Sequence, residues 1–136
     1  SIGVNLVTDT QDSLIRVKDI AAFFLVLFNS SYLDREFSEQ ALAILSSTSY
    51  QNGIVAGVPV GISVAHKFGE RTASGLLLNK GLIEESETQL HDCGIVYFPK
   101  KPYILCIMTR GEDLEQQQLA ISEISKFFYE HVKKSK

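Results

Sequence analysis

The unbroken apolar run from Ile20 to Phe28 constrains the fold of this chain more than any other segment. The run lies in a predicted helix from about Arg16 to Tyr32. This helix has no polar stripe, whereas a surface helix that packs against the protein on one side would have one. The run is too short to cross a bilayer, which takes about 20 residues. Each large apolar side chain left in water loses roughly 1.5–3 kcal/mol of the stabilisation that burial would give. We therefore expect protein outside these 136 residues to cover one side of the helix.

Helical patterns flank a central group of strand patterns, an order typical of an α+β fold. A second helix is predicted after Asp34, whose carboxylate can cap the first free backbone N–H groups, so that helices occupy residues 16–50. β-Branched and apolar runs predict an antiparallel sheet of three strands, within residues 60–108, with the helices packed on it. The predicted strands are Val60–Lys67, Leu90–Phe98 and Tyr103–Met108, the last two joined by a turn at Pro99–Pro102.

A closing helix is predicted over residues 113–133, because apolar residues recur there at helical spacing. The residues of this stripe are Leu114, Ile121, Ile124, Phe128 and Val132. Acidic residues in its first turn and lysines at its end match the helix dipole. We expect this helix to lie across the sheet with its aromatic run Phe127–Tyr129 in the core.

The composition excludes several classes of partner. With 45% hydrophobic residues, 21% charged residues and a net charge of −3, the chain is a globular unit. It carries no cluster of basic residues apart from its last lysines, so neither nucleic acid nor an anionic membrane surface is an expected partner. No cofactor-binding motif is evident in the sequence.

The segment Val58–Glu70 combines an apolar strand pattern with Lys67 and Gly69 at its predicted end. An ammonium group at a strand end is suited to hold an anion, and a glycine lets a ligand backbone approach. By itself this pair is a weak signal, since a lysine at a strand end is more often simply solvated.

Three stretches in this order resemble the last strands of class A β-lactamases and penicillin-binding-type serine hydrolases: Gly57–Gly69, His91–Pro99 and Pro102–Gly111. Their shared features are a proline before a strand with Lys-x-Gly, a strand that ends in proline, and a strand that closes in Thr-x-Gly. The two helices before them also look like those of the family. The resemblance implies that residues 1–136 are the C-terminal portion of a single domain of this type.

The nucleophile of that family is absent from these residues. The family acylates a serine in an SxxK motif and relays protons through a Ser-x-Asn element. No serine here stands three residues before a lysine or two before an asparagine. The resemblance therefore implies that the missing N-terminal half of the same protein supplies the serine, and that the 136 residues alone are inactive.

By the same resemblance, four consecutive residues form the site. Lys67 would draw the substrate carboxylate, Gly69 would admit the substrate backbone, and the backbone N–H of Glu70 would be one of two oxyanion-hole donors. Phe68 departs from the family, which has a Thr or Ser hydroxyl there. The implied substrates are β-lactams or D-Ala-D-Ala cell-wall peptides, and the implied location is outside the cytoplasm. The twenty or so residues of Glu70–Gln89 are expected to form a loop near the site.

Two other functions remain open for such a domain. The same fold serves as a β-lactam-sensing domain that is acylated without turnover, and Phe68 could instead mark a catalytically degenerate fragment.

The polar residues on the predicted strands suggest two further chemistries. His66, His91, Asp92 and Cys93 suggest zinc, but His91 and Asp92 must point to opposite faces of one strand, so no metal site is predicted. Cys93 and His91 share a face as a thiol nucleophile and its base would, yet a small buried residue is the simpler interpretation of Cys93. A disulfide between Cys93 and Cys106 is left open.

Overall fold

The computed structural model of the chain describes residues 7–9, 12–73 and 87–135. Its architecture confirms the α+β prediction. A short antiparallel pair that the sequence did not predict, β1 (Val7–Asp9) and β2 (Asp12–Leu14), precedes the helices α1 (Val17–Phe28) and α2 (Arg35–Ser46). A 3-10 turn at Ile54–Gly57 leads to the strands β3 (Val64–Ala73), β4 (Glu87–Val96) and β5 (Tyr103–Gly111), and the helix α3 (Leu114–Lys134) follows.

Local side-chain chemistry begins two of the helices. The carboxylate of Asp34 accepts a hydrogen bond from the backbone N–H of Phe37 at 3.0 Å, as the sequence predicts. At the start of α3, Asp113 accepts from the backbone N–H groups of Glu115 and Gln116 at 2.8 and 3.1 Å. Both caps satisfy N–H groups that the helix itself cannot pair.

The three long strands form one antiparallel sheet in the order β3–β4–β5. The predicted turn between β4 and β5 is confirmed, with Lys100 in a left-handed conformation at φ 66°. Alternate side chains point to opposite faces. One face, which includes Ala65, Cys93 and Ile95, packs under α1 and α2, and the other, which includes Val64, Leu90 and Leu105, packs under α3 and the 3-10 turn.

The buried stripe of α3 differs from the predicted one. Ile121 and Tyr129 are buried, but Ile124, Phe127 and Phe128 are exposed. The buried positions recur every four residues and include two polar side chains, which is why an apolar pattern could not find them. Ser125 donates to the carbonyl of Ile54 at 2.8 Å, and Gln117 donates to the carbonyl of Thr88 at 3.1 Å.

The apolar run of α1 is covered on one side only. Phe24 is buried against the sheet, whereas Phe23, Leu25 and Phe28 remain 44%, 50% and 42% exposed. Part of the apolar surface of this helix is therefore left uncovered by the described residues. No helix within the described residues combines the length and hydrophobicity that crossing a bilayer requires.

The two cysteines form a disulfide between neighbouring strands. Cys93 and Cys106 lie directly opposite each other in the register of β4 and β5, and their sulfurs are bonded. The sequence left this pairing open. It makes the thiol-nucleophile alternative untenable for the oxidised protein, because neither sulfur is free to attack a substrate.

Replacing both cysteines by alanine is expected to lower the free energy of unfolding by about 2–3 kcal/mol, because the cross-link restricts the unfolded chain. Urea unfolding of the wild type and the double variant, each with and without dithiothreitol, measures the effect. The reductant should lower the midpoint of the wild type alone. Equal midpoints in all four samples would show that the bond adds no stability.

Candidate functional site

Lys67 lies within a strand and not at its end, which corrects the sequence prediction. The predicted strand began at Val60, but Val60 is fully exposed in a turn that contains Pro59 and Gly61, the latter at φ 93°. The backbone N–H of Ile62 donates to the carbonyl of Pro59 at 3.1 Å and closes this turn. Strand β3 consequently starts later and runs past Glu70 to Ala73.

The extension also shortens the predicted loop. Residues 70–73 of β3 pair with residues 87–90 of β4, so both ends of Glu70–Gln89 belong to the sheet. Residues 74–86, the rest of that loop, lie outside the described residues.

Strand β3 forms an edge of the described sheet, and its backbone groups alternate between β4 and the open side. The carbonyl of Ser63 accepts from the backbone N–H of Tyr97 at 3.0 Å, so odd-numbered residues direct their backbone toward β4. The carbonyls of His66 and Phe68 instead accept from side chains, those of Thr48 and Lys67. The alternation places the backbone N–H of Glu70 in the same outward-facing set.

A cleft of about 300 Å³ lies on the α1 side of the sheet beside Lys67 and Gly69. Its wall is almost wholly apolar and includes the disulfide, with the ammonium-bearing Lys67 exposed at its margin. The lining residues are Ile15, Ile20, Lys67, Phe68, Gly69, His91, Cys93, Cys106, Ile107 and Met108. Such a surface suits an apolar segment or ligand that also presents an anionic group.

Gly69 has no steric reason to be glycine within the described part of the chain. A Cβ added there would meet no described atom within 4 Å. At Gly94 the added Cβ would lie 2.5 Å from the carbonyl oxygen of Ala65, and at Gly57 it would lie 2.3 Å from that of Ser122. Those two glycines are needed for packing, while the space in front of Gly69 is open.

Phe68 points to the opposite face from Lys67 and packs on Tyr50. Their rings are stacked, with centroids 4.0 Å apart and planes at 15°. The ammonium of Lys67 lies 5.0 Å from the centre of the Phe68 ring. Burial raises the pKa of the Tyr50 phenol, and the nearby carboxylate of Asp92 raises it further. Sequence reasoning missed Tyr50, because its segment reads only as the end of a helix.

The residues considered for zinc separate onto two faces of the sheet. His66 and Asp92 bond to each other under α3, whereas His91 and Cys93 lie on the cleft side. Within residues 7–9, 12–73 and 87–135, no group of three or more His, Cys, Asp or Glu side chains is arranged to hold a metal ion.

Solved structures with a similar fold are β-lactamases and related proteins. A mutant of PBP-A in an acyl-enzyme complex with penicillin G has a TM-score of 0.73 at 17% identity, covering 98% of this chain and 47% of that one. A class A β-lactamase from Bacteroides cellulosilyticus gives 0.69 at 16%, covering 90% and 43%, and a β-lactamase from Sphaerobacter thermophilus gives 0.68 at 17%, covering 98% and 49%. The chain therefore spans less than half the length of each.

A search of curated proteins finds no significant match. At the level of sequence families, residues 3–132 match the Beta-lactamase enzyme family. This match covers nearly the whole chain, and it agrees with the order of the Lys67, His91–Pro99 and Thr109–Gly111 motifs along the sheet. The chain therefore belongs to the β-lactamase enzyme family.

Proposed function

We propose that this chain is the C-terminal part of an acyl-serine hydrolase that acts on β-lactams or D-Ala-D-Ala cell-wall peptides, with the nucleophilic serine supplied by residues outside it. In the acylation step, the serine oxygen bonds to the substrate carbonyl carbon, the C–N bond breaks, and the leaving nitrogen takes up a proton. This chain contributes charge and hydrogen-bond donors to that step.

The observation that carries the proposal is the arrangement at the open edge of β3. Lys67 and Gly69 border an apolar cleft, and the next residue, Glu70, turns its backbone N–H away from β4. An ammonium can hold the substrate carboxylate, and an N–H can stabilise the oxyanion that develops during acylation. Pairing of a peptide-like substrate with this edge as an added strand requires Thr48 and Lys67 to release the carbonyls of His66 and Phe68.

The uncovered surfaces support a nucleophile from elsewhere in the protein. The outer side of α1 exposes Phe23, Leu25 and Phe28, and the cleft is open beside Lys67. An apolar segment placed there would cover both surfaces and bring its serine to the site. The chain spans less than half the length of these structural relatives, and the remainder of each relative is long enough to contain such a segment.

We further propose that the protein is exported. Its substrates as proposed are found outside the cytoplasm, and the Cys93–Cys106 disulfide fits an oxidising compartment.

A second candidate function follows from Phe68. A phenylalanine offers no hydroxyl to a substrate carboxylate, and the ring of Phe68 is stacked on Tyr50. The substrate carboxylate would then depend more heavily on Lys67. The alternative that we keep is a sensing domain that is acylated and does not turn over.

A fluorescent penicillin added to the full-length protein distinguishes these functions. Labelling followed by release of hydrolysed penicillin identifies a hydrolase, and a stable adduct identifies a sensor. If the folded full-length protein forms no adduct with penicillins or with a D-Ala-D-Ala thioester, the proposal is wrong and the site is degenerate.

Two glycine substitutions separate the role of the site from the stability of the fold. Gly57→Ala is expected to lower the free energy of unfolding by about 2–3 kcal/mol, because its methyl group would overlap α3. Gly69→Ala is expected to leave that free energy within about 1 kcal/mol of wild type, yet to slow penicillin acylation at least tenfold. Urea unfolding and acylation rates measure both. A Gly69→Ala variant with wild-type acylation would contradict the proposed approach of substrate.

A further inference from the structure

A buried ionisable pair lies directly behind Lys67. Nδ1 of His66 is 2.8 Å from Oδ1 of Asp92, and the two side chains are 1% and 0% exposed. Because the carboxylate accepts, the ring nitrogen is the donor. His66 lies opposite Gly94 in the register and Asp92 lies opposite Phe68, so the bond runs diagonally across the two strands. A Cβ at Gly94 would lie 2.5 Å from that of His66, so the glycine makes room for the imidazole.

The carboxylate of Asp92 also binds the first residue of the 3-10 turn and so holds the segment that leads into this turn. Oδ2 of Asp92 accepts from the backbone N–H of Ile54 at 2.8 Å. A Cβ at Gly53 would lie 2.2 Å from that oxygen, so only a glycine permits this approach. The carbonyl of Ile54 in turn accepts from Ser125 of α3. A continuous chain of buried hydrogen bonds thus links α3 to His66.

That segment contacts both chain neighbours of Lys67. The hydroxyl of Thr48 shares its one proton between the carbonyl of Leu45 at 2.9 Å and the carbonyl of His66 at 3.3 Å, and the ring of Tyr50 stacks on Phe68. We name the residues Thr48, Tyr50, Ile54, His66 and Asp92 the positioning network. His66 and Phe68 are contacted by Asp92 and Tyr50 on the α3 face and by Thr48 at the edge of the strand. The side chain of Lys67 leaves β3 on the opposite face, and its ammonium donates to the carbonyl of Phe68.

We infer that the positioning network orients Lys67 toward the substrate carboxylate, and that His66 and Asp92 are positioning residues of the site. This inference rests on the proposed function, in which Lys67 binds that carboxylate. In the described residues β3 has a strand on one side only, so ladder hydrogen bonds fix its backbone from β4 alone. Buried side-chain hydrogen bonds supply the second constraint, and a charge held in place before substrate arrives stabilises a transition state without reorganisation.

The test compares three variants in the full-length protein. His66→Phe keeps a ring but loses the hydrogen bond to Asp92, and His66→Asn keeps a donor near the place of Nδ1. Gln117→Leu is the matched control, because it removes two other hydrogen bonds between α3 and the sheet, the one that Gln117 donates to the carbonyl of Thr88 and the one that it accepts from the hydroxyl of Thr109. His66→Leu, which also removes the hydrogen bond to Asp92 and is smaller than phenylalanine, serves as a second disrupting variant if His66→Phe does not fold.

Two readouts are measured for each variant. The first is the NMR resonance of Lys67 after reductive ¹³C-methylation of the lysines, assigned with Lys67→Arg. The second is the change in KM and the change in kcat, measured separately, for a carboxylate-bearing β-lactam. His66→Phe is expected to shift the Lys67 resonance and to lower kcat/KM by about 10- to 100-fold, as a misplaced binding group does. His66→Asn should restore most of this loss, and Gln117→Leu should change neither readout.

Specific results would overturn the inference. It is wrong if the Lys67 resonance is unchanged in a folded His66→Phe or His66→Leu variant, or if Gln117→Leu shifts both readouts equally. If the wild type reacts with no β-lactam, the proposed function fails by itself, and the Lys67 resonance alone then decides whether the network orients this side chain.

Discussion

Glu70→Pro is expected to slow penicillin acylation of the full-length protein by about 100- to 1,000-fold, the usual cost of losing one oxyanion-hole donor. Proline removes the backbone N–H of residue 70 and, on an edge strand whose N–H faces outward, it removes no ladder hydrogen bond. The loss should therefore appear in the acylation rate, measured by stopped-flow with a fluorescent penicillin, and far less in the free energy of unfolding.

Two controls isolate the amide of residue 70. Thr72→Pro makes the same backbone change at the next outward-facing position and also removes the hydroxyl pair with Thr88, so it tests non-specific damage to the strand. Glu70→Ala removes the carboxylate and keeps the N–H. Both should retain at least a third of the wild-type rate. Equal loss in Glu70→Pro and Thr72→Pro would mean that the strand, not the donor, matters.

Lys67→Met is expected to lower kcat/KM for a carboxylate-bearing β-lactam by about 10- to 150-fold. Methionine keeps most of the apolar stem and removes the charge, and a hydrogen bond to a charged group contributes about 1.5–3 kcal/mol. Lys133→Met, in the last turn of α3, is the matched control, since its ammonium pairs only with the exposed Glu130 in the described structure. Nitrocefin hydrolysis or acylation rates measure both variants, and equal rates would remove Lys67 from the site.

Local chemistry made much of the fold predictable. The cap at Asp34 and the turn at Pro99–Pro102 depend on neighbouring residues alone, and both lie where the sequence places them. Contacts between distant segments were harder to predict. The buried stripe of α3 includes Ser125 because this residue donates a hydrogen bond to Ile54, which lies 71 positions earlier. No pattern within the helix predicts that contact.

The candidate site also has one part that the sequence predicts and another part that it does not. The order of the motifs identified the family, and Lys67, Phe68, Gly69 and Glu70 followed from it. The outward direction of the Glu70 amide depends on the register between β3 and β4, which the sequence does not reveal. Tyr50 and the His66–Asp92 bond likewise depend on how the segment before the 3-10 turn folds back onto the sheet.

A crystal structure of the full-length protein acylated by penicillin tests the central claim most directly. The account predicts a penicillin ester on a serine outside residues 1–136, its carbonyl oxygen within hydrogen-bond distance of the Glu70 amide, and its carboxylate about 2.7–2.9 Å from Nζ of Lys67. An acyl group attached to a residue of this chain, or a carboxylate bound away from the edge of β3, would contradict it.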